Sequence, residues 1–220
     1  MKTWIKFCAT TSIDDARASI EAGADALGFV FAPSKRRVTV EQAQAIIAQL
    51  PARIERIGVF QNEAPERVRA TVEQAGLTAV QLHGEETLAY MNGLFSKWSR
   101  SPRIGIIKTV LMDDKFTARF TAVAQSSECV DCILFDSGAG SGKTFDWSKL
   151  ADTVVENNGM TGWKGRFIIA GGLSPENVGE AVTMFHPWGV DVVTGVERGP
   201  GRKDPEKLKA FVAAVRKAEQ

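Results

Sequence analysis

Two glycine-bearing segments ask first for a chemical reason. Ala170-Gly-Gly-Leu-Ser-Pro175 and Val193-Thr-Gly-Val-Glu197 each continue an apolar run. Glycine lets a backbone approach anionic oxygens and adopt φ > 0, and the N–H groups of such loops, beside a helix N-terminus, bind phosphate. Gly171, Gly172, Thr194 and Gly195 are therefore candidate phosphate ligands. The alternative is an ordinary turn, but two such sites in consecutive units favour phosphate. Cys8 and Asp136 each close an apolar run as well. A thiol whose pKa of about 8.5 is lowered by nearby cations, here Lys6 or Arg36, acts as a base. A carboxyl kept protonated by partial burial acts as an acid. The bland alternatives are a small core cysteine and a loop-capping aspartate, and the residues alone leave both pairs of readings open.

Arg36, within Lys35-Arg36-Arg37, offers a planar fork for a carboxylate or phosphate, although three adjacent cations cannot all face one pocket. His83, in Gln81-Leu-His-Gly84, is a candidate substrate contact or simply a local hydrogen-bond partner, and Lys108 joins the set as another polar strand-end residue. Two motifs mislead. Ser137-Gly-Ala-Gly-Ser-Gly-Lys143-Thr144 approaches a P-loop but has serine where the first glycine belongs. Cys129 and Cys132 have the spacing of half a zinc site, yet no second pair exists, so no metal site is expected.

The elements that must position these groups follow from the apolar pattern. Trp4–Cys8, Ala26–Phe31, Ile57–Phe60, Ala79–Leu82, Ile104–Thr109, Cys132–Phe135, Phe167–Ala170 and Val190–Val193 are short, mostly continuous runs. Continuous rather than alternating runs fit strands buried on both faces, as in a parallel sheet. Helix starts lie between them: Thr39 with Gln42 as a capping box, Ser174-Pro175 and Asp204-Pro205 as N-cap and first helical position. Gly23 and Gly76 stand where helices end. Eight units in 220 residues leave no spare segment and no linker. That favours a compact, single-domain (β/α)8 TIM barrel of the α/β class over 1–220, against an open doubly wound sheet. In a barrel the C-terminal strand ends form the active face.

Lys and Arg number 27 against 26 Asp and Glu, a net charge of +1, which argues against a nucleic-acid partner. The longest stretch without Asp, Glu, Lys or Arg, Gln42–Ala52, has 11 residues, against about 20 for a membrane span. Asp14, Asp15, Arg17, Glu21 and Asp25 are foreign to a targeting peptide, so a cytoplasmic protein without a membrane partner is expected.

Together the strand-end segments resemble the phosphoribosylanthranilate isomerase family of tryptophan biosynthesis. The matching segments are Ile5-Lys-Phe-Cys-Ala9, Gly23-Ala-Asp-Ala-Leu-Gly-Phe-Val-Phe31, Gly58-Val-Phe60, Val80-Gln-Leu-His-Gly84, Leu134-Phe-Asp-Ser137 and Gly140-Ser-Gly-Lys-Thr-Phe-Asp-Trp147. They continue with Ala170-Gly-Gly-Leu-Ser-Pro-Glu-Asn-Val178, Gly195-Val-Glu197 and Pro200-Gly-Arg-Lys-Asp204, so the resemblance runs through the whole chain. It implies a metal-free, cofactor-free Amadori rearrangement of a small phosphorylated, carboxylate-bearing substrate, by a monomer or homodimer. Cys8 then matches the general base and Asp136 the general acid. Arg36, in preference to Arg37, matches the arginine facing the substrate carboxylate. Asp191 matches an acidic residue near the ribose hydroxyls, His83 a pocket position, and Gly172 and Gly195 phosphate-loop positions. The chain departs from the family at Ala9, usually glycine, at Val193-Thr194, usually paired serines, and in a shorter loop after Asp136. The alternatives are a dual-substrate aminoaldose isomerase of the tryptophan and histidine pathways, a nucleotide-dependent phosphotransferase built on Lys143, and an inactive interaction barrel.

Overall fold

The computed structural model describes residues 2–98, 103–124, 128–138, 163 and 165–220. Eight parallel strands close into a barrel in chain order. They are β1 (Trp4–Phe7), β2 (Ala26–Val30), β3 (Glu55–Phe60), β4 (Ala79–Leu82), β5 (Gly105–Leu111), β6 (Cys132–Asp136), β7 (Arg166–Ala170) and β8 (Gly189–Val192). The described helices are α1 (Ile13–Ala22), α2 (Val40–Ile47), α3 (Pro65–Ala75), α4 (Leu88–Trp98), α5 (Phe116–Ala124), α6 (Val178–Phe185) and α7 (Pro205–Ala218). A small antiparallel hairpin, β9 (Glu197–Gly199) and β10 (Arg202–Lys203), precedes α7. The open sheet is excluded because β8 pairs with β1, setting Lys6 opposite Asp191.

The continuous apolar runs have two destinations. Ile5 and Phe7 of β1 belong to the layer beneath the helices, where Phe7 meets Phe211 of α7 edge-on at 5.9 Å. Trp4, Ile57, Ile107, Leu134 and Ile168 instead fill the lower barrel interior. Each large side chain so buried stabilises the fold by about 1.5–3 kcal/mol. Because strand side chains alternate, Lys6 and Cys8 follow Trp4 up the interior towards the C-terminal ends.

Helix ends behave largely as their sequence signals require. The Thr39–Gln42 capping box is formed at both ends, Asp204 caps α7 ahead of Pro205, and Gly23 (φ 113°) and Gly76 (φ 75°) terminate α1 and α3 in the left-handed region. Two expectations need correction. Pro175 is not the first helical residue: α6 begins at Val178, and Ser174 caps the turn ahead of it, its Oγ accepting from the Glu176 N–H at 3.3 Å and its N–H donating to Asn177 Oδ1 at 2.8 Å. Lys108 is not at a strand end, since β5 continues to Leu111. Its Nζ is buried against the Gly84 carbonyl at 2.6 Å and Glu86 Oε2 at 2.7 Å, fastening the loop after β4.

Ala9 stands immediately beyond Cys8 with φ 62°, a region that L-residues other than glycine rarely adopt. Ala9→Gly is therefore expected to stabilise the protein by about 1 kcal/mol, read as a higher denaturant midpoint at unchanged slope. A midpoint that stays put or falls would show that Ala9 carries no strain.

Candidate active site

A cavity of about 300 Å³ opens at the C-terminal ends of the strands. Its floor is built from charged and polar side chains on the strands themselves. Lys6 of β1 is fully buried and donates to Asp191 Oδ2 of β8 and to Gln81 Oε1 of β4, each at 2.9 Å. Cys8 lies next along β1, 4% exposed and lining the cavity. Gly28 of β2 makes room for it, because a Cβ there would sit 2.5 Å from Cys8 Sγ and 3.1 Å from Lys6 Cε.

Across the cavity, Asp136 ends β6 with Oδ1 accepting from the Gly138 N–H at 3.0 Å and Oδ2 3.8 Å from His83 Nε2. His83 is held on its other side by Gln81 Nε2 and Thr109 Oγ1, each 3.3 Å from Nδ1. Gly171 (φ 82°) and Gly172 (φ 66°) line the cavity from the loop after β7, and Thr194 from the loop after β8. Gly171 passes so close to Asp136 that a Cβ would lie 2.7 Å from Oδ1. Gly195 stands just behind this wall, where any Cβ would overlap the Leu173 carbonyl. The two glycine loops thus pack against each other as well as facing the cavity.

Arg36 and Arg37 diverge. Arg36 lines the cavity and forms a two-pronged pair with the buried carboxylate of Glu197, Nε to Oε1 at 2.9 Å and Nη2 to Oε2 at 2.6 Å. Arg37 is exposed and lines a separate groove with Phe31 and Phe60. Asp191 has one carboxylate oxygen on Lys6, while its buried Oδ1 has no hydrogen-bond partner among the described residues. That unpaired, buried acceptor belongs to a residue that lines the cavity. Cys129 and Cys132 are both buried, Cys132 in the lower interior, and neither lines the cavity. Residues 139–144 of the near P-loop, like 145–162 and 164, lie outside the described residues.

The electrostatics set thiol and carboxyl apart. Burial pushes the Cys8 thiol up, Lys6 pulls it down, and Asp191 adds to the rise. Burial opposes the charge on Lys6, but Asp191 and Cys8 outweigh it and hold its pKa above the ordinary value. Burial likewise raises Asp136 against the opposing influence of His83, and lowers His83 itself. A carboxyl biased to its acid form thus faces a thiol flanked by an ammonium group. Such a pair can deliver a proton on one side of a ligand and remove one on the other. Gly28, Gln81, Glu197 and Lys203 support this arrangement; all four lie within the segments that carry the family resemblance, but their residue types alone point to no role. Gln81 also stands two positions before His83 and hence on the same strand face.

A family model for N-(5′-phosphoribosyl)anthranilate isomerase matches residues 5–214. The N-(5′-phosphoribosyl)anthranilate isomerase of Desulforudis audaxviator is 38% identical over 222 residues, covering 98% of this chain and 99% of its own length. A phosphoribosyl anthranilate isomerase solved in complex with reduced 1-(o-carboxyphenylamino)-1-deoxyribulose 5-phosphate is 35% identical with a TM-score of 0.81, covering 98% of this chain and 99% of its own. Monomers generated from the dimeric enzyme of Thermotoga maritima give the same identity, TM-score and coverage.

The raised carboxyl has a stability consequence. A group with a folded-state pKa above its unfolded value binds its proton more tightly when folded, so ionisation costs stability as pH rises from about 4 through the folded pKa. Asp136→Asn, which keeps the acceptor for Gly138, should therefore be more stable than wild type at pH 8, with the difference shrinking towards pH 4. Denaturation at both pH values checks this; an advantage that grows on acidification would contradict it.

Proposed function

The chain belongs to the N-(5′-phosphoribosyl)anthranilate isomerase family, and we propose that Cys8 and Asp136 are the base and the acid of its reaction. The protein is an isomerase of tryptophan biosynthesis, converting N-(5′-phosphoribosyl)anthranilate to 1-(2-carboxyphenylamino)-1-deoxyribulose 5-phosphate. Asp136 protonates the furanose ring oxygen. The C1′–O bond breaks as the anilino nitrogen lone pair forms an iminium, leaving Asp136 as carboxylate. The Cys8 thiolate then removes the C2′ proton, and the released electron pair neutralises the iminium to an enolamine. Loss of the enol proton and protonation of C1′ complete the ketone. The iminium is the electron sink, so the sequence of steps asks for no metal or organic cofactor.

One observation supports this reading: Cys8, just beyond β1, and Asp136, ending β6, line one cavity, the thiol beside the Lys6 ammonium and the carboxyl biased to its acid form by burial. The other assignments follow the ligand's polar ends. Arg36 faces the anthranilate carboxylate, Asp191 stands near the ribose hydroxyls, and His83 stands by the acid. Gly171, Gly172, Thr194 and Gly195 receive the phosphate, with Val193 offering no hydroxyl there. Residues 1–220 act as one domain in the cytoplasm, as a monomer or homodimer. No described helix is long and apolar enough to cross a membrane. Family membership favours neither the dual-substrate alternative nor the phosphotransferase at Lys143.

Cys8→Ser and Asp136→Asn should each lower kcat by about 10²–10⁴-fold, with KM changed far less. Loss of substrate fluorescence during turnover of phosphoribosylanthranilate measures both. A folded variant that keeps wild-type kcat removes its residue from the mechanism.

A further inference from the structure

Lys203 is a costly residue in a telling place. It lies on β10, 1% exposed, and its Nζ donates to the Cys8 carbonyl at 2.6 Å. Its backbone N–H is fixed by Asp15 Oδ1 of α1 at 3.0 Å. The nearest carboxylate to its ammonium, Glu197 Oε1, is 3.8 Å away and already accepts from Arg36 and the Gly201 N–H. A fully buried amine without a tight ion pair is poor value for stability, since an apolar side chain of similar volume would fill the space at lower cost. What the amine does hold is the peptide joining Cys8 to Ala9.

That peptide is the one that needs holding. The Cys8 N–H donates to the Val192 carbonyl at 3.0 Å and the Thr10 N–H to the Gly28 carbonyl at 2.8 Å, so the chain is pinned on both sides of Ala9. Between the pins Ala9 sits at φ 62°. A residue in the left-handed region relaxes unless its surroundings over-determine it. Relaxation would rotate the Cys8–Ala9 peptide and carry the Cys8 Cα, and so the thiol, with it. The Lys203 bond to the Cys8 carbonyl is the third pin and the only charge-bearing one.

We propose that Lys203 is a positioning residue for the isomerisation, clamping the Cys8 carbonyl so that the thiol stays aimed into the cavity. The proposal rests on Cys8 as the base. The charged groups around Cys8 are Lys6 of β1, Asp191 of β8, Arg36 of the loop after β2, and Lys203 itself. Lys6 and Lys203 favour the thiolate, while burial and Asp191 oppose it.

The test compares Lys203→Met with wild type in two measurements. One is steady-state turnover of phosphoribosylanthranilate; the other is the pH dependence of iodoacetamide alkylation at Cys8, followed on its own peptide by mass spectrometry. The expected result is a kcat lowered by about 10–100-fold, KM within about threefold, and a Cys8 titration moved to higher pH. Unchanged kcat with an unchanged thiol titration overturns the proposal, as does a rise in KM alone. If Lys203→Met does not fold, Lys203→Gln, which retains a donor, is read for the thiol shift; failure of both to fold makes Lys203 a structural residue and also overturns it. Cys8→Ala separates the two readings. Wild-type kcat in Cys8→Ala removes the base assignment itself, whereas an inactive Cys8→Ala beside an unaffected Lys203→Met removes only the role of Lys203.

Discussion

Closure of the barrel sets Lys6 against Asp191 across the β1–β8 seam, and the site hangs on that buried pair. An ammonium with no exposure is tolerable only when its donors are used and a carboxylate lies close. Here two donors go to Asp191 and Gln81, from strands on different sides of the barrel. The pair therefore reports correct closure, since a slip of one residue along either strand would turn one partner outward. It also sets up everything above it: the cation beneath Cys8, the unpaired buried oxygen of Asp191, and Gln81 reaching His83.

Above this floor the design trades local comfort for placement. Gly28 gives up a side chain so that Cys8 and Lys6 can share one interior column. Ala9 accepts a left-handed backbone where glycine would fit without strain. Glu197 is buried beneath Arg36 and holds it with both oxygens, so the guanidinium is fixed in the wall before any ligand arrives. These are local conflicts of the kind that gather at functional sites and are offset by the rest of the fold.

The barrel was legible because its strands are buried on both faces, and continuous apolar runs survive as a signal whatever the helices do. Ala79–Leu82 could be read to the residue, and the capping box at Thr39 likewise, since both are local chemistry. Ser174-Pro175 misled by three residues: Ser174 caps the turn that leads into the helix, its Oγ accepting from the Glu176 N–H and its carbonyl from the Val178 N–H, while the helix itself starts at Val178. Lys108 misled because a strand's end is set by its neighbours, and β6 pairs with β5 as far as Leu111. Of the site, the residues that face the cavity could be picked out from their strand ends. Glu197 and Lys203 lie in segments that carry the resemblance, but what they hold could not be read there. Their roles depend on a hairpin after β8 folding back under the end of β1, a contact between residues 195 positions apart that no motif spacing encodes.

The chemistry poses one demand that burial alone cannot meet. A thiol base must be ionised while a carboxyl acid is protonated, the reverse of their order in water, where they titrate near about 8.5 and 3.9. Burial raises both groups, which helps the acid and hinders the base. The remedy lies in where the cations stand. Lys6 and Lys203 both bear on Cys8. Among the described residues Asp136 has His83 as its ion-pair partner, which burial biases towards the neutral imidazole, with Lys6 a weaker influence. The lysines offset part of the rise that burial imposes on Cys8, while the histidine, biased towards its neutral form, leaves Asp136 towards the acid. On this view the unequal distribution of charge around a nearly neutral protein is itself part of the catalytic apparatus.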